Sequence, residues 1–146
     1  MLLVATAGGH VTEMGELYDA FKSYNTSTFL YAGTSSGTEW PNLFMFRNFA
    51  AKPFVILIEF FRILFLVLKI RPHVVVSTGA ELAIPVFYLC KIFCRSRLVY
   101  VECSAQVVSP SLTGRIVYPI TDLFLVQWEA LLSVYGKKAK YVGGLI

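Results

Sequence analysis

The stretch Gly8-Gly9-His10 is where residue types and spacing most directly suggest chemistry in this sequence. Glycines let the backbone approach a ligand closely, and a helix that follows them would present N–H groups and a positive dipole to an anion. Histidine titrates near neutral pH, so His10 is a candidate general base. The residues alone leave an alternative open, an ordinary strand–helix turn in which His10 makes only loop hydrogen bonds.

Polar residues follow three other apolar runs that have strand length. They are Ser77-Thr78-Gly79, Glu102 and Gln127-Trp128. Because parallel strands end at the same edge of a sheet, these residues are candidate contacts for an anion and a sugar. Glu102 could orient a sugar hydroxyl or act as a base, or it could form an ion pair with Arg115. Trp128 could stack on a ligand or cap the end of the sheet.

The elements that must position these residues alternate between strands and helices. The apolar spacing after the glycine pair predicts a helix from Val11 to Ser23. Strands are predicted at 1–4, 28–32, 43–47, 73–77, 98–101 and 123–126, with a last one from Tyr141. A helix that begins near Pro85 is expected to run through Cys94. This alternation indicates right-handed βαβ units, and therefore a Rossmann-like α/β fold with a parallel sheet and helices on both faces. The length predicts a single domain, residues 1–146.

Charge and hydropathy are unevenly distributed. The chain is 56% apolar with a net charge of +4, and its bases concentrate between Arg47 and Arg97, in the most apolar region. That combination favours an anionic membrane surface as a partner and argues against nucleic acid. Three cysteines do not make a disulfide framework, which favours a reducing compartment. We expect Cys90 and Cys94 to be buried thiols rather than a metal pair, and we expect neither a metal nor a cofactor.

A second distinctive element is the apolar helix predicted over residues 53–70, which begins with proline. Its length of about 25 Å is short of a hydrocarbon core of about 30 Å. Glu59, Arg62 and Lys69, with Lys52 just before, lie on one stripe, so we expect a helix that lies in the membrane interface. The alternative is a crossover helix packed on the sheet, with Glu59 and Arg62 paired at its edge. The residues expected to enter the lipid are Phe54, Ile58, Phe61, Phe65 and Leu68.

Several motifs, taken in order, resemble a known family. They are Gly8-Gly9-His10 with Thr12-Glu13-Met14, Val76-Ser77-Thr78-Gly79-Ala80, Tyr100-Val101-Glu102, Ser111-Leu112-Thr113-Gly114, and Val117-Tyr118-Pro119 through Trp128-Glu129. Across nearly its whole length the chain is similar to the membrane-associated, acceptor-side subunits of two-chain, inverting UDP-sugar glycosyltransferases. One branch serves dolichol-linked oligosaccharide assembly in eukaryotes, and bacterial relatives act in capsule and exopolysaccharide synthesis.

The resemblance implies the N-terminal half of a GT-B glycosyltransferase (a hexosyltransferase) as a separate polypeptide that is not active alone. It would bind a polyprenyl-diphosphate-linked sugar acceptor at the cytoplasmic face of the membrane and recruit a separate catalytic subunit that binds the UDP-sugar. The tail 143–146 is implied to hold that partner. His10 and Glu102 are the implied catalytic residues. The implied substrate contacts are Gly8, Gly9, Thr12, Ser77, Thr78, Gly79, Thr113, Gln127 and Trp128.

Two other functions remain open. The chain could be a non-catalytic membrane anchor and activator of the partner glycosyltransferase, or a stand-alone nucleotide-binding domain. The transmembrane helix that precedes the first strand in the eukaryotic branch is not found here. We therefore expect the bacterial branch, at the inner membrane, with the helix at 53–70 as the membrane element.

Overall fold

The computed structural model describes residues 1–34, 39–48, 53–79 and 81–145. Lys52, Ala80 and Ile146, which figure in the expectations above, lie outside these ranges. The strands are β1 (Leu2–Val4), β2 (Ser27–Tyr31), β3 (Leu43–Phe46), β4 (Val74–Ser77), β5 (Arg97–Val101), β6 (Leu123–Val126) and β7 (Ala139–Tyr141). The helices are α1 (Gly9–Tyr18), α2 (Pro53–Ile70), α3 (Ala83–Leu89), α4 (Leu112–Val117) and α5 (Ala130–Tyr135).

Several element boundaries differ from the prediction by one or two residues, and three differences concern the ends of helices and the last strand. Helix α1 ends at Tyr18 rather than Ser23, because the chain beyond it forms tight turns in which amides bond to carbonyls three residues back. The second apolar helix, α3, ends at Leu89 and continues as a π-helical segment, Cys90–Cys94. The last strand begins at Ala139, two residues earlier than expected.

The strands form one parallel sheet in the order β3-β2-β1-β4-β5-β6-β7. The order reverses between β1 and β4, and such a switch point is where open α/β sheets bind ligands. Val4 pairs in register with Ser77, the last residues of β1 and β4. The two following loops, which carry His10 and Thr78, therefore leave the sheet side by side.

The two faces of the sheet are covered unequally. Helices α2 to α5 pack on one face, around a core that includes Phe29, Tyr100 and Phe124. Helix α1 packs on the other face through Val11 and Met14. The parallel sheet with helices on both faces confirms the predicted Rossmann-like fold.

Helix α2 forms over the predicted residues and packs on the core through Ile63, Leu66 and Val67. A helix lying in the membrane interface was expected to keep its charged stripe exposed. This expectation is wrong for Glu59, which is buried. Its carboxylate accepts hydrogen bonds from the Arg47 amide and the Arg62 guanidinium, at 3.3 and 3.4 Å, and these bonds are what allow burial. The crossover packing and the ion pair considered above are therefore both present.

The outer face of α2 is nevertheless apolar and open to solvent. Each of the residues expected to enter the lipid is exposed, at 78%, 62%, 59%, 65% and 41% respectively for Phe54, Ile58, Phe61, Phe65 and Leu68. Ile92 and Phe93, on the π-helical segment that contacts α2, are exposed as well. Among the helices of the described residues, none is long and apolar enough to span a membrane.

The pair Cys90 and Cys94 consists of free thiols on the inner side of the π-helical segment. Cys90 is fully buried, and burial, reinforced by the neighbouring thiol, raises its pKa to about 12. Cys94 is half-buried, and its thiol donates to the carbonyl oxygen of Val67 in α2 at 3.7 Å. Both thiols serve the packing between these helices.

Candidate functional site

Reciprocal hydrogen bonds lock the loops that follow β1 and β4. Nδ1 of His10 lies 2.9 Å from the carbonyl oxygen of Thr78, and the Thr78 hydroxyl donates to the carbonyl oxygen of His10 at 2.6 Å. Because a carbonyl oxygen only accepts, Nδ1 carries the proton, and Nε2 of the neutral ring keeps a free lone pair. The switch point thus presents the imidazole nitrogen that a general base or a metal ligand needs.

Gly79 makes room for the His10 ring. Its φ of +121° lies in a region that favours glycine, and a Cβ at this position would come within 2.7 Å of both Cε1 and Nδ1 of His10. Ser77 and Thr78 are fully buried, and the Ser77 hydroxyl oxygen accepts from the Gly79 amide at 3.2 Å. The three residues predicted after β4 therefore shape the loop and hold His10.

The glycine pair lies where a ligand could reach it. Gly8, Gly9 and Thr12 are exposed, and Gly8 adopts a φ of +81° just before α1. Val11 and Thr12 donate their amides to the Gly8 carbonyl oxygen, while no side chain of the described residues caps the start of the helix. The first N–H groups of α1 therefore point out of the helix without an intrahelical acceptor, and anion binding at this turn stays a prediction.

Glu13 is a residue of this site that sequence reasoning missed as a functional group. It is fully buried, and its Oε1 accepts from the Ser104 amide at 2.7 Å, which ties α1 to the loop after β5. Oε2 has no hydrogen-bond partner within the described part of the chain. One nitrogen of His10, a carboxylate oxygen of Glu13 and the sulfur of Cys103 all lie within 4.8 Å of one another. The sequence did contain a signal for this contact, because His10 and Glu13 are three residues apart on a predicted helix and therefore lie on the same side of it.

Glu102 is fully buried at the end of β5, where its carboxylate anchors the following loop. Its Oε1 accepts from the Cys103 amide at 3.0 Å, and its Oε2 accepts from the amide and hydroxyl of Ser111 at 3.2 and 3.1 Å and from the Tyr135 hydroxyl. Burial and this carboxylate together raise the pKa of Tyr135. Arg115 is exposed, and its ion pair with Glu102 does not form among the described residues.

Gln127 and Trp128 brace the same loop from the end of β6. The side-chain amide of Gln127 donates to the carbonyl oxygen of Glu102 at 3.0 Å and accepts from the Leu145 amide at 2.8 Å. The Trp128 indole donates to the carbonyl oxygen of Ser104 at 2.7 Å and remains 43% exposed. The structure therefore shows the capping use of Trp128, with part of the ring open to solvent.

The predicted residues thus fall into two groups. One group surrounds His10 at the switch point, and the other surrounds the buried carboxylate of Glu102. Thr113 belongs to the second group, buried in α4 one residue before Gly114, where a Cβ would collide with the Tyr135 hydroxyl and Glu102. Tyr135 lies 33 residues from its carboxylate partner, and nothing in its sequence surroundings signals that contact.

Comparisons with solved structures place this architecture among known folds. The chain superposes on MurG of Acinetobacter baumannii with a TM-score of 0.72 at 15% identity, over 98% of this chain and 44% of that one. It superposes on a UDP-N-acetylglucosamine 2-epimerase with a TM-score of 0.66 at 14% identity, over 99% of this chain and 48% of that one. The chain therefore has the Rossmann-like fold of the N-terminal half of a GT-B glycosyltransferase, as predicted.

Curated relatives are named as transferase subunits. The UDP-N-acetylglucosamine transferase subunit ALG14 of Candida albicans is 37% identical over 84 residues, which are 54% of this chain and 38% of that protein. The match thus spans less than half the length of this fungal relative. The mouse subunit of the same name is 26% identical over 180 residues, covering all of this chain and 82% of that protein. These eukaryotic relatives lend no support to the expected capsule or exopolysaccharide role.

A family model places the chain most directly. The model described as "Oligosaccharide biosynthesis protein Alg14 like" matches residues 47–145. That range includes α2, the buried carboxylate of Glu102 and every strand from β4 onward. It also covers well over half of the sequence. The chain belongs to the Alg14 family.

Proposed function

We propose that this chain is the acceptor-side subunit of a UDP-N-acetylglucosamine transferase in lipid-linked oligosaccharide biosynthesis. It holds a polyprenyl-diphosphate-linked sugar acceptor at a membrane surface and recruits a separate catalytic subunit that binds the UDP-sugar. The names of the relatives support the reaction class. The half-length match to a GT-B chain supports a site divided between two polypeptides.

The observation that carries the proposal is the pairing of His10 with Thr78 at the switch point. It leaves Nε2 of His10 free beside the exposed glycines that open α1. In the proposed reaction the acceptor hydroxyl attacks the anomeric carbon of the donor sugar and the bond to UDP breaks. The hydroxyl proton passes to Nε2, while the N–H groups of Gly9 and His10 bind the acceptor diphosphate.

Glu102 enters this proposal as a positioning residue. Its oxygens are occupied by Ser111, Tyr135 and the Cys103 amide, so it acts on the acceptor through the loop that these contacts hold. Gln127 and Trp128 fix the other side of that loop. A direct contact between Glu102 and a sugar hydroxyl remains a prediction from the sequence.

The exposed face of α2 supports the membrane part of the proposal. Large apolar side chains cover it, and exposed bases, Lys69, Arg71 and Arg95, lie at the ends of α2 and the π-helical segment. Contiguous exposed apolar surface marks an interaction site, and a basic rim favours anionic headgroups. The helix lies in the interface with its inner side on the core, and the protein is peripheral or monotopic.

The test is a reconstitution with the donor-binding subunit, UDP-N-acetylglucosamine and a panel of polyprenyl-diphosphate-linked sugars in liposomes. Since a general base contributes roughly 10²–10⁴-fold, His10→Gln should lower kcat by at least about 100-fold with the partner still bound. His73→Gln is the matched control, because His73 is exposed at the opposite end of β4. Wild-type kcat for His10→Gln, or full activity of the donor subunit alone, would refute the catalytic role.

A second candidate function is a non-catalytic anchor and activator of the partner. It is favoured by the burial of Glu102, which leaves one of the two expected catalytic side chains without access to a ligand. If the chain only anchors the partner, a donor subunit tethered to the membrane by an unrelated anchor would be fully active without it; if it also activates the partner, activity would need the chain but not His10. Under the leading proposal the tethered subunit stays inactive until the chain is added.

A further inference from the structure

Three side chains able to ligate a metal converge beside the switch point. His10 and Glu13 come from the first turns of α1, and Cys103 follows β5 on the far side of β4. One ligand atom of each lies within 4.8 Å of the other two. Ligand atoms around a tetrahedral Zn²⁺ are roughly 3.3–3.8 Å apart. Modest side-chain rotations would therefore bring all three into one coordination sphere.

The carboxylate of Glu13 is the feature of this cluster that the fold leaves unexplained. Glu13 is fully buried, and its Oε2 has no hydrogen-bond partner in the described part of the chain. The ion pairs of those residues include none with Glu13. A buried carboxylate oxygen without a donor or cation is unfavourable. A cation held between Glu13, His10 and Cys103 would satisfy it.

The contacts around the cluster are those found around metal ligands. Nδ1–H of His10 donates to the Thr78 carbonyl oxygen, which orients the ring and leaves Nε2 as the free nitrogen. The other oxygen of Glu13 is held by the Ser104 amide. A ligating histidine commonly donates its second N–H to a backbone carbonyl, and ligating carboxylates are themselves hydrogen-bonded. Both outer contacts are therefore already formed.

We propose that Nε2 of His10, Oε2 of Glu13 and Sγ of Cys103 bind one Zn²⁺. A mixed nitrogen, oxygen and sulfur set suits this borderline-soft ion. Neutral imidazole, carboxylate and thiolate together carry two negative charges, which balance the two positive charges of Zn²⁺. His10 and Cys103 are partly exposed, so the fourth coordination position is open to water or to an anionic oxygen.

The zinc site and the proposed general base both use Nε2 of His10, so one chain cannot serve both roles at the same time. Zinc on Nε2 takes the lone pair that a general base would use, so the metal-loaded chain has no free His10 base. Binding also displaces the Cys103 thiol proton, which makes affinity fall at low pH. The test therefore measures metal binding by the chain itself and needs neither acceptor nor partner.

The experiment titrates the reduced, metal-free chain with Co²⁺, a spectroscopic substitute for zinc. We expect one Co²⁺ per chain, an intense thiolate-to-cobalt charge-transfer band, visible bands of a four-coordinate ion, and displacement by one equivalent of Zn²⁺. Cys103→Ser should abolish the charge-transfer band. Glu13→Gln and His10→Ala should each weaken Co²⁺ binding at least tenfold.

Cys94→Ser is the matched control, because its thiol is half-buried and lies outside the cluster. It should bind Co²⁺ like the wild type. Circular dichroism of each metal-free variant checks folding, and a folded Cys103→Ser chain suffices for the test if Glu13→Gln does not fold. Absence of the charge-transfer band in the wild-type chain, or its persistence in Cys103→Ser, would overturn the proposal.

Discussion

At His10, one backbone carbonyl and one missing Cβ decide what the imidazole can do. The carbonyl oxygen of Thr78 holds the proton on Nδ1, and Gly79 leaves the space in which the ring lies. Neither contact involves a side chain that would attract attention in a sequence. The chemistry of the histidine is therefore set by the backbone of a neighbouring strand end.

Gly79→Ala tests this arrangement at the level of a single methyl group. The new Cβ would collide with the His10 ring, so we expect a loss of about 1–3 kcal/mol in the free energy of unfolding. The ring should also lose its fixed tautomer, because it can no longer reach Thr78. Urea denaturation measures the first effect, and ¹⁵N NMR of the imidazole nitrogens measures the second.

Gly136→Ala is the control for that substitution. Gly136 also has a positive φ, +86°, but a Cβ there meets nothing within 4 Å. It should lose stability through backbone strain alone, about 1 kcal/mol, and leave the His10 signals unchanged. If both variants preserved the His10 tautomer, Gly79 would not be what makes room for the ring.

Asp122 supplies a pH-dependent contribution to stability. Although its partial burial acts to raise the pKa, hydrogen bonds from Lys91 and the Leu98 amide hold the pKa of Asp122 below its ordinary value. A lowered folded-state pKa means that the stabilisation is complete above the unfolded-state value and is lost as pH falls through the folded-state value.

The substitution Asp122→Asn should therefore lower the free energy of unfolding by about 1 kcal/mol at pH 7. The difference from wild type should shrink as pH falls below about 4, the ordinary range for aspartate. Urea denaturation across that range measures it. Asp19→Asn is the control, since its ion pair with Lys22 is exposed and should contribute little. A difference that stays constant with pH would contradict the role of Asp122.

At the scale of elements, α2 packs on the core with one side and exposes apolar side chains on the other. Ile63, Leu66 and Val67 pack on the core, while the opposite side exposes phenylalanines such as Phe61 and Phe65. Glu59 can be buried because the Arg47 amide and Arg62 satisfy it. One helix can thus be a crossover connection and still present an apolar face.

The double substitution Phe61→Asp with Phe65→Asp tests that exposed face. Both side chains are more than half exposed, so the change should spare the fold while it removes apolar surface and adds two negative charges. We expect wild-type protein to float with anionic liposomes. The affinity of the variant for these liposomes should be at least tenfold lower. Sedimentation or flotation of the pure chain measures this.

A control with the same change in charge places the aspartates elsewhere. Tyr24→Asp with Val134→Asp alters two exposed apolar residues outside α2 and the π-helical segment. This variant should float like the wild type, apart from the loss expected for two added charges. Equal release of both variants would show that net charge, rather than the face of α2, governs binding.

At the scale of the whole molecule, the fold of the chain corresponds to about half of a larger chain, MurG. The superposition covers 98% of this chain but only 44% of the MurG chain. Its candidate site lies along one edge of the sheet, at the switch point between β1 and β4. Under the proposed function, a separate donor-binding subunit would supply the surface opposite this edge.

The sequence by itself determined the class and order of the elements. Alternation of short apolar runs with helical spacing predicts a parallel sheet whatever the side chains touch, because parallel strands require crossover helices. Glycines, His10 and the polar residues at strand ends were also recognisable, since their positions follow from the chain order. The length of α1 could not be predicted, because the end of the helix depends on a local competition between tight turns and helix.

The tertiary structure alone decided what the recognised residues do. Glu102 is buried rather than facing an open cleft because Ser111, nine residues away, and Tyr135, 33 residues away, donate to it. Glu13 and Cys103 become neighbours only when α1 packs on the face of the sheet and β5 pairs with β4. Burial and hydrogen bonding depend on contacts between residues far apart in the chain, and periodicity and spacing carry no information about such contacts.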